Sequence, residues 1–304
     1  MPYFHVRGVA VVEIAIVHEA RIPPKSCRAL LREARKIGLK AHYIPIKYIS
    51  VEIGEKTGLY VGSKELDING ILLRGLGFSV NNETYISRVT ILKVLENLGV
   101  RIMNPVNSLL NARNKFYTLF IAKKLGINVP NTMLTEDIMF AYNYIDKMGE
   151  ITLKPIVGSR GFGLSRFSDK DTAFQAMRAL LEYNLPLMVQ KYLVNPLRDM
   201  RIFVIGDRVV ASMYRLAPSG GWKANIAQGG TGVKYDPDPE VINLALKITR
   251  ALNLDYAGVD VIESGGRYFL LEVNASADFD ELSRVTRKNI AREIVMYFKE
   301  ILKK

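Results

Sequence analysis

Cysteine and histidine are nearly absent from this chain of 304 residues, and each shortage excludes a class of protein. The single cysteine, Cys27, excludes internal disulfide bonds and any zinc site built from several cysteines, and it fits a reducing compartment. The three histidines, His5, His18 and His42, all lie within the first 42 residues. Their scarcity argues against a zinc hydrolase with an HExxH motif and against a Ser-His-Asp hydrolase. We therefore expect a cytoplasmic protein whose chemistry rests on other residue types.

Long apolar runs and glutamine are scarce as well. The apolar segment Val9–Val17 is too short to cross a bilayer and contains Glu13, so we expect no membrane anchor. The three glutamines favour a thermophilic source, because thermophilic proteins use few thermolabile amides. The composition, 49% hydrophobic and 24% charged, is otherwise that of a globular protein. A chain of this length folds as about two domains.

The charge of the chain is strongly positive, with 42 Lys and Arg against 30 Asp and Glu, a net charge of +12. Two interpretations stay open: the protein binds a polyanion or a phosphorylated ligand, or its basic surface only reflects its source organism. A nucleic-acid-binding protein would show clustered basic residues with interleaved aromatic residues, whereas the basic residues here are dispersed. Since no RRM, KH or zinc-finger pattern occurs, we expect no nucleic-acid partner.

Predicted strands and helices alternate in the first third of the chain. Apolar segments predict strands at Val9–Val17, Gly70–Leu76 and Val100–Met103. Ser26 can cap the first of two predicted helices, and the second covers Thr84–Leu98. This alternation predicts a small open α/β domain over residues 1–104.

The pattern of elements changes beyond a connecting helix at about Asn111–Leu125. Six segments are predicted as strands: Ile151–Pro155, Leu187–Tyr192, Met200–Ile205, Arg208–Tyr214, Tyr256–Ile262 and Arg267–Asn274. Long helices are predicted between and after them: Asp171–Tyr183, Asp238–Leu252 and Thr286–Leu302. Because strands follow one another with few helices between them, we predict two α+β subdomains, over residues 105–190 and 191–304.

A lysine followed by a glycine-rich segment is the first motif that carries chemistry. Lys154 ends a predicted strand, and Gly158, Gly161 and Gly163 follow within nine residues. Backbone N–H groups of a glycine loop can close on a phosphate, and the lysine adds positive charge beside them. The spacing matches neither a Walker A loop nor G-x-G-x-x-G. The alternative is a plain glycine-rich turn between two strands.

Two carboxylates and an amide form the second motif. Glu272 and Asn274 are two residues apart, so they share one face of a predicted strand. A three-residue turn, Gly265–Arg267, would place Asp260 of the preceding strand directly opposite Glu272. Hard oxygen ligands of this kind suit Mg²⁺ beside nucleotide phosphates. The alternative is a half-exposed polar face of an antiparallel sheet.

The remaining candidates are basic and polar residues around these two motifs. Arg201 and Arg215 are candidates for stabilising transferred charge, although each alone fits a solvated strand face. Lys115 opens a predicted helix and alone fits a surface lysine. A predicted strand that ends in Gln190 is compatible with an adenine pocket.

The order of these motifs resembles the ATP-grasp ligases and, more narrowly, their RimK-type branch, which joins amino acids to carboxylates. The resemblance runs from about Leu73 to the C-terminus, and Lys-Pro-x-x-Gly-Ser-x-Gly-x-Gly and Asp…Glu-x-Asn are its most specific parts. It implies an ATP-grasp fold, in which two α+β subdomains hold ATP behind a small α/β domain. The chain departs from the branch at Ala275–Phe279, where relatives often continue with a Ser-Pro-Gly-like turn.

The resemblance also implies a role for each candidate residue. ATP would be bound by Lys115, Lys154, Gly158, Ser159, Arg160, Gly161, Gly163, Gln190, Lys191, Tyr192 and Asp199. One or two Mg²⁺ or Mn²⁺ ions would be held by Asp260, Glu272 and Asn274. The reacting groups would be stabilised by Arg201, Arg215 and Asn225, and the substrates bound by Arg74, Lys223 and Ser276.

The implied reaction phosphorylates an acceptor carboxylate with ATP, and the amine of an amino acid then displaces phosphate to give an amide. By analogy with the family the amino acid is L-glutamate. The acceptor is an anionic small molecule or an acidic peptide: a pterin or deazaflavin coenzyme, a ribosomal protein tail, or a carrier protein of lysine or arginine biosynthesis. Among these we expect an archaeal coenzyme such as tetrahydromethanopterin, and a homodimer or homotetramer as the assembly. A catalytically inactive nucleotide-binding regulator is the remaining alternative, and the intact metal-ligand set argues against it.

Overall fold

The computed structural model describes residues 12–55, 57–77, 81–158 and 161–303. Its helices are α1 Lys25–Lys36, α2 Asn82–Asn97, α3 Val106–Arg113, α4 Lys115–Lys124, α5 Ile138–Met148, α6 Lys170–Glu182, α7 Pro239–Ala251, α8 Asp280–Thr286 and α9 Ile290–Ile301. Its strands are β1 Glu13–His18, β2 Lys40–Pro45, β3 Ile49–Glu52, β4 Gly58–Val61, β5 Lys64–Glu65, β6 Gly70–Leu73, β7 Arg101–Met103, β8 Thr132–Thr135, β9 Ile151–Lys154, β10 Ser165–Phe167, β11 Leu187–Lys191, β12 Arg198–Ile205, β13 Arg208–Leu216, β14 Thr231–Lys234, β15 Tyr256–Ser264 and β16 Arg267–Asn274.

The chain divides into two compact units, one formed by Met1–Val106 with Asn289–Lys304 and the other by Asn107–Lys288. The first unit contains a parallel sheet in the order β2-β1-β6-β7 and a small antiparallel sheet, β3-β4-β5. The apolar residues 14–17 of β1 are fully buried, as a parallel strand covered on both faces requires. The expected α/β character of this part is confirmed.

Helix α9 belongs to the first unit, which corrects the predicted C-terminal subdomain over residues 191–304. It packs against α1, and the Lys299 ammonium donates to the Ile37 carbonyl at 2.8 Å. The predicted long helix Thr286–Leu302 is also wrong. Arg287 follows α8 with a φ of 56°, and Asn289 caps a new helix by accepting from the Arg292 N–H.

Two further helix predictions are wrong in detail for similar reasons. The predicted helix Asn111–Leu125 is divided into α3 and α4 at Asn114, whose side chain accepts from the Tyr117 N–H and so begins α4. Ser26 lies inside α1 and does not cap it, because Pro24 occupies the cap position. The capping hydrogen bond of Asn114 decides where α4 begins, whereas α1 begins after Pro24, which makes no side-chain capping hydrogen bond.

The second unit contains two antiparallel sheets. The four-stranded sheet has the order β10-β9-β11-β8, and α5 and α6 cover one of its faces around the buried side chains of Met133, Ile151 and Leu187. The five-stranded sheet has the order β14-β13-β12-β15-β16. The predicted α+β character is confirmed. The predicted division between residues 190 and 191 falls at the end of β11 and stays a prediction.

Among the described residues, no helix has the length and the apolar character that crossing a bilayer would need.

Candidate active site

The register of the five-stranded sheet places charged residues of four strands on one face. Asp199 of β12 pairs directly with Arg215 of β13, and Arg201 of β12 pairs with Asp260 of β15. Asp260 also pairs with Glu272 of β16. Directly paired residues of antiparallel strands share a face, and so do residues two apart on one strand. These five side chains therefore project to the same side of the sheet.

A tight turn and a β-bulge together set the pairing of Asp260 with Glu272. The turn contains only Gly265 and Gly266, not the three residues predicted, and both adopt a positive φ, of 55° and 70°. With this turn alone, Asp260 would pair with Leu271. A β-bulge directly after Asp260 shifts the register by one residue. The predicted pairing is therefore confirmed, although a different local structure produces it.

Asp260 is held by two guanidinium groups. Arg201 donates from Nε to Oδ1 at 2.5 Å and from Nη2 to Oδ2 at 3.1 Å. Nη2 of Arg215 lies 2.9 Å from Oδ2, and Arg215 also donates to both oxygens of Asp199, at 2.6 and 2.8 Å. Gly258 leaves room for this packing, since a Cβ there would lie 2.7 Å from Nη1 of Arg201. The result is a buried chain of alternating charges.

Burial and ion pairing act in opposite directions on the pKa values in this network. Burial raises the pKa of Asp260 to about 6, and Arg201 and Arg215 oppose that rise. Burial alone would lower the pKa of Arg215, but the carboxylates of Asp199 and Asp260 raise it above its usual value. Removing one partner would leave a buried charge uncompensated, so the network acts as a unit.

Glu272 and Asn274 face Lys115, the first residue of α4. Nζ of Lys115 lies 3.1 Å from Oε2 of Glu272. The Asn274 amide donates to Oε1 of Glu272 at 3.0 Å and to Oδ2 of Asp260 at 3.4 Å, so the predicted convergence of these three side chains is confirmed. Burial alone would raise the pKa of Glu272, but Lys115, Asn274 and Lys154 together hold it well below its usual range.

The four-stranded sheet contributes Lys154, at the end of β9. Burial lowers the pKa of Lys154 to about 8, an effect that Glu272 opposes and Lys115 strengthens. Among the described residues, no hydrogen bond acts on its ammonium group. Lys154 is half-buried, and a lysine whose pKa is lowered in this way favours an anionic ligand, because the anion would stabilise its charged form.

The glycine loop between β9 and β10 begins beside Lys115, whose ammonium donates to the Gly158 carbonyl at 2.5 Å. Gly161 and Gly163 adopt positive φ values of 74° and 73°, which glycine permits at no steric cost. A Cβ on Gly161 would lie 2.7 Å from Oδ1 of Asn225, so its absence also allows two loops to approach closely. The second of these loops connects β13 to β14 and contains Lys223 and Asn225.

Strand β11 ends in the predicted adenine-side residues. The Gln190 side chain is buried and donates to Oγ1 of Thr132 at 2.8 Å. The N–H of Lys191 donates to the Asn131 carbonyl at 2.8 Å. The predicted contact of the Lys191 backbone with adenine stays a prediction. Tyr192 follows directly, and the guanidinium carbon of Arg166 lies 3.8 Å from the centroid of its ring.

Most of the predicted site residues line one cleft, which is open to solvent. The predicted residues that line it are Lys115, Lys154, Gly158, Gly161, Gln190, Lys191, Tyr192, Asp199, Arg215, Lys223, Asn225, Asp260 and Glu272.

Comparison with known proteins identifies the architecture around this cleft. The family described as RimK-like ATP-grasp domain matches residues 112–298. The chain belongs to this family. It is 34% identical over 235 residues to the tetrahydromethanopterin:alpha-L-glutamate ligase of Methanococcus maripaludis, which covers 76% of this chain and 78% of that protein. The alpha-aminoadipate–LysW ligase LysX of Sulfurisphaera tokodaii is 28% identical over 281 residues, 90% of this chain and 94% of that protein.

Solved structures give the same fold. The structure of the ATP-grasp ligase PsnB complexed with minimal precursor, Mg and ADP has a TM-score of 0.72 at 18% identity, and the match covers 96% of this chain and 98% of that chain. The predicted ATP-grasp fold is therefore confirmed, and this protein is an ATP-grasp ligase.

Some predicted residues of this RimK-like ligase do not line the cleft. Arg201 is buried beneath Asp260, and Ser276 lies in the turn directly after β16. Arg74 is buried at the end of β6 in the first unit. Ser159 and Arg160 lie outside the described residues, and their contacts stay predictions.

Trp222 and Leu193 also line the cleft but were not predicted from the sequence, whereas Arg198, one of the basic residues between the two motifs, lines it as well. Trp222 carries a signal that could have drawn attention to it, because it is the only tryptophan and follows two glycines directly. Leu193 has no comparable signal, because an apolar residue after a strand occurs throughout the chain.

The donor set beside Lys115 fits a magnesium ion that is shared with a ligand. Within the described residues, no group of three or more His, Cys, Asp and Glu side chains is placed to hold a metal. A metal here would depend on Asp260, Glu272 and the amide oxygen of Asn274, completed by oxygen atoms of the ligand. Mg²⁺ commonly binds in this way, through one or two carboxylates and substrate phosphates.

Proposed function

We propose that this ATP-grasp ligase uses ATP and Mg²⁺ to join L-glutamate to a carboxylate of an anionic acceptor through an amide bond. One observation carries the proposal: a single cleft contains the Asp260–Glu272 pair, Lys115, and Lys154 with its lowered pKa. Carboxylates for a cation and lysines for phosphates lie together, as a magnesium nucleotide requires.

The first step forms an acyl phosphate. An oxygen of the acceptor carboxylate attacks the γ-phosphorus of ATP, the bond to the β-phosphate oxygen breaks, and ADP leaves. Lys115 and Lys154, which line the cleft, would bind the phosphates, and backbone N–H groups of the glycine loop would add to this binding. Mg²⁺, when bound by Asp260, Glu272 and Asn274, would neutralise phosphate charge.

The second step forms the amide. The neutral amine of the amino acid attacks the acyl carbon, its surplus proton passes to solvent, and inorganic phosphate leaves. Arg215 and Asn225 line the cleft and would stabilise the negative charge that develops on the acyl oxygen. Arg201 would act indirectly, because its guanidinium fixes both oxygens of Asp260.

The relatives support two acceptors. The tetrahydromethanopterin:alpha-L-glutamate ligase is the more similar by identity and favours a coenzyme carboxylate with L-glutamate as the donor. The LysX relative matches over a larger share of both chains and favours a carrier protein as the alternative acceptor. We propose the coenzyme, because the relative that supports it shares the higher identity with this chain.

The experiment that tests this proposal measures Mg²⁺-dependent ADP release with a panel of acceptors crossed with the twenty amino acids. The panel contains tetrahydromethanopterin, a deazaflavin coenzyme, acidic peptides and an acidic carrier protein. Mass spectrometry should show the pterin heavier by one glutamate residue, only with ATP. A different heavier product would overturn the acceptor or donor assignment, and AMP instead of ADP would overturn the acyl-phosphate chemistry.

A further inference from the structure

Trp222 lies in the cleft, although neither the family resemblance nor the proposed reaction uses it. It belongs to the loop of residues 217–230, which we name the β13–β14 loop. Its ring meets the Tyr192 ring edge to face, with the centroids 6.0 Å apart and the planes at 82°. Aromatic pairs favour this geometry, and they contribute beyond the area that they bury.

Tyr192 is itself fixed from the four-stranded sheet. The Arg166 guanidinium lies 3.8 Å from its ring centroid, and Nε and Nη2 of Arg166 donate to the two oxygens of Glu150 at 2.7 and 2.8 Å. The N–H of Tyr192 donates to the Glu150 carbonyl at 2.8 Å. Cation–π contact and paired charged hydrogen bonds both restrict the ring, so Tyr192 offers Trp222 a rigid partner.

Apart from this aromatic contact, most backbone hydrogen bonds that the β13–β14 loop donates lie within the loop itself. The N–H groups of Gly221, Gln228, Gly229 and Gly230 donate to carbonyls of residues 218, 225 and 226. The loop has a pair of glycines near its start and another at its end. Gly220 of the first pair and Gly229 of the second adopt positive φ values of 73° and 90°. Such a loop has a defined internal shape and can move as a body about its glycines.

We propose that Trp222 is a positioning residue, which docks the β13–β14 loop on Tyr192 and thereby presents Lys223 and Asn225 to the cleft. The two residues follow Trp222 within three positions and line the same cleft, and the Lys223 ammonium lies 5.4 Å from the Trp222 ring centroid. Without the docking, the loop would keep its approach to Gly161 but would lose its aromatic contact with the four-stranded sheet, so Lys223 and Asn225 would be positioned less firmly. The test of this inference by turnover rests on the proposed function, whereas the test by fluorescence does not.

The turnover test compares Trp222→Ala, Trp222→Phe, Tyr192→Ala and the double variant Tyr192→Ala/Trp222→Ala. We expect Trp222→Ala to lower kcat by about tenfold or more, since small misplacements of catalytic groups cost that much. The phenyl ring of Trp222→Phe should restore kcat to within about threefold, and the double variant should be no slower than the slower single variant. Tyr183→Ala, at an aromatic side chain that is 79% exposed, is the control with wild-type kcat.

Three results would overturn the proposal. The first is wild-type kcat in Trp222→Ala. The second is independent, additive losses in the double variant. The third is a loss confined to ADP affinity with kcat unchanged, which would make Trp222 a direct nucleotide contact.

The spectroscopic test needs no turnover and uses Arg166→Ala, which leaves the tryptophan in place. As the only tryptophan, Trp222 reports its own surroundings by fluorescence. We expect its emission to move to longer wavelength in Arg166→Ala and to stay at the wild-type wavelength in Arg178→Ala, a control at an exposed arginine. An unchanged emission in Arg166→Ala would contradict docking on a fixed Tyr192 even if the acceptor and donor were assigned wrongly.

Discussion

The two sheets of the second unit hold their charges in opposite ways. On the five-stranded sheet Asp199, Arg215, Asp260 and Arg201 pair with one another in a closed, buried network. On the four-stranded sheet Lys154 has no hydrogen bond among the described residues, and its pKa is lowered to about 8. The charges of the first arrangement are paired within the protein, whereas Lys154 in the second would gain a hydrogen-bond partner from the proposed phosphate. One side of the cleft is therefore preorganised, and the other has room for an anion in the proposed function.

Glu272→Gln should produce the largest effect on turnover. Glu272 pairs with Lys115 and so connects the carboxylates of the five-stranded sheet to the lysines of the cleft. We expect turnover to fall by about 10³-fold, as losing a preorganised electrostatic group at a reacting centre commonly does. The measurement is Mg²⁺-dependent ADP release with the acceptor and glutamate. Glu263→Gln is the matched control, since Glu263 lies on the same hairpin at 39% exposure. Near wild-type turnover in Glu272→Gln would remove Glu272 from the site.

Arg215→Ala should break the closed network. We expect it to lower the stability of the protein as well as its turnover. Two buried carboxylates would lose a shared partner, so the free energy of unfolding should fall by about 3–5 kcal/mol in denaturant titration. Arg250→Ala removes an exposed pair with Asp207 and should cost less than about 1 kcal/mol. Equal losses in the two variants would show that the network on the five-stranded sheet does not act as a unit.

Because of Lys154, ADP affinity and folding stability should depend on pH in opposite directions. If protonated Lys154 binds phosphate as proposed, ADP affinity should weaken above pH 8, by up to about tenfold per pH unit. In the unfolded chain the pKa is near 10.5 and in the folded chain about 8, so the unfolded state binds more protons between these values. Stability contributed by Lys154 therefore rises from pH 8 to pH 10.5.

Calorimetry of ADP binding from pH 6.5 to 9.5 and thermal unfolding of the free protein check the two directions. Lys154→Met is the control and should lose both dependences. The same pH profiles in Lys154→Met as in the wild type would assign the titration to another group.

Gly161→Ala tests the contact between the glycine loop and Asn225 and should have the smallest effect. The new Cβ would lie 2.7 Å from Oδ1 of Asn225, so we expect turnover to fall by about tenfold. Gly126→Ala shares the left-handed backbone, with a φ of 76°, but its Cβ would meet no atom within 4 Å. Both variants carry a backbone cost of about 1–2 kcal/mol. Equal turnover in the two would show that the approach of Gly161 to Asn225 is irrelevant to the reaction.

Strand patterns made one side of the site predictable from the sequence. Alternation and a predicted three-residue turn, Gly265–Arg267, placed Asp260 opposite Glu272, and the pairing is correct although the turn has two residues and a β-bulge restores the register. The β-bulge that corrects the register was not predictable, since no residue type marks it. The ATP-grasp fold was predicted from the family motifs more than from the periodicity of apolar residues.

The other features depend on contacts between distant segments, which a periodic pattern does not encode. Trp222 contacts Tyr192, which lies 30 positions earlier in the chain, and α9 packs against α1 from the opposite end of the chain. Asn114 looked like a helix interior because apolar residues continue past it, yet its side chain begins a new helix. In each case a specific tertiary or capping interaction overrides local spacing.

The most direct test of the account is the effect of Mg²⁺ on ADP affinity, measured by calorimetry in the wild-type protein and in Glu272→Gln. We expect Mg²⁺ to tighten ADP binding to the wild type and not to the variant. Both proteins should be equally folded. The same Mg²⁺ effect in both proteins would contradict the placement of the metal at Asp260, Glu272 and Asn274, and no ADP binding to the wild type would contradict the ligase proposal itself.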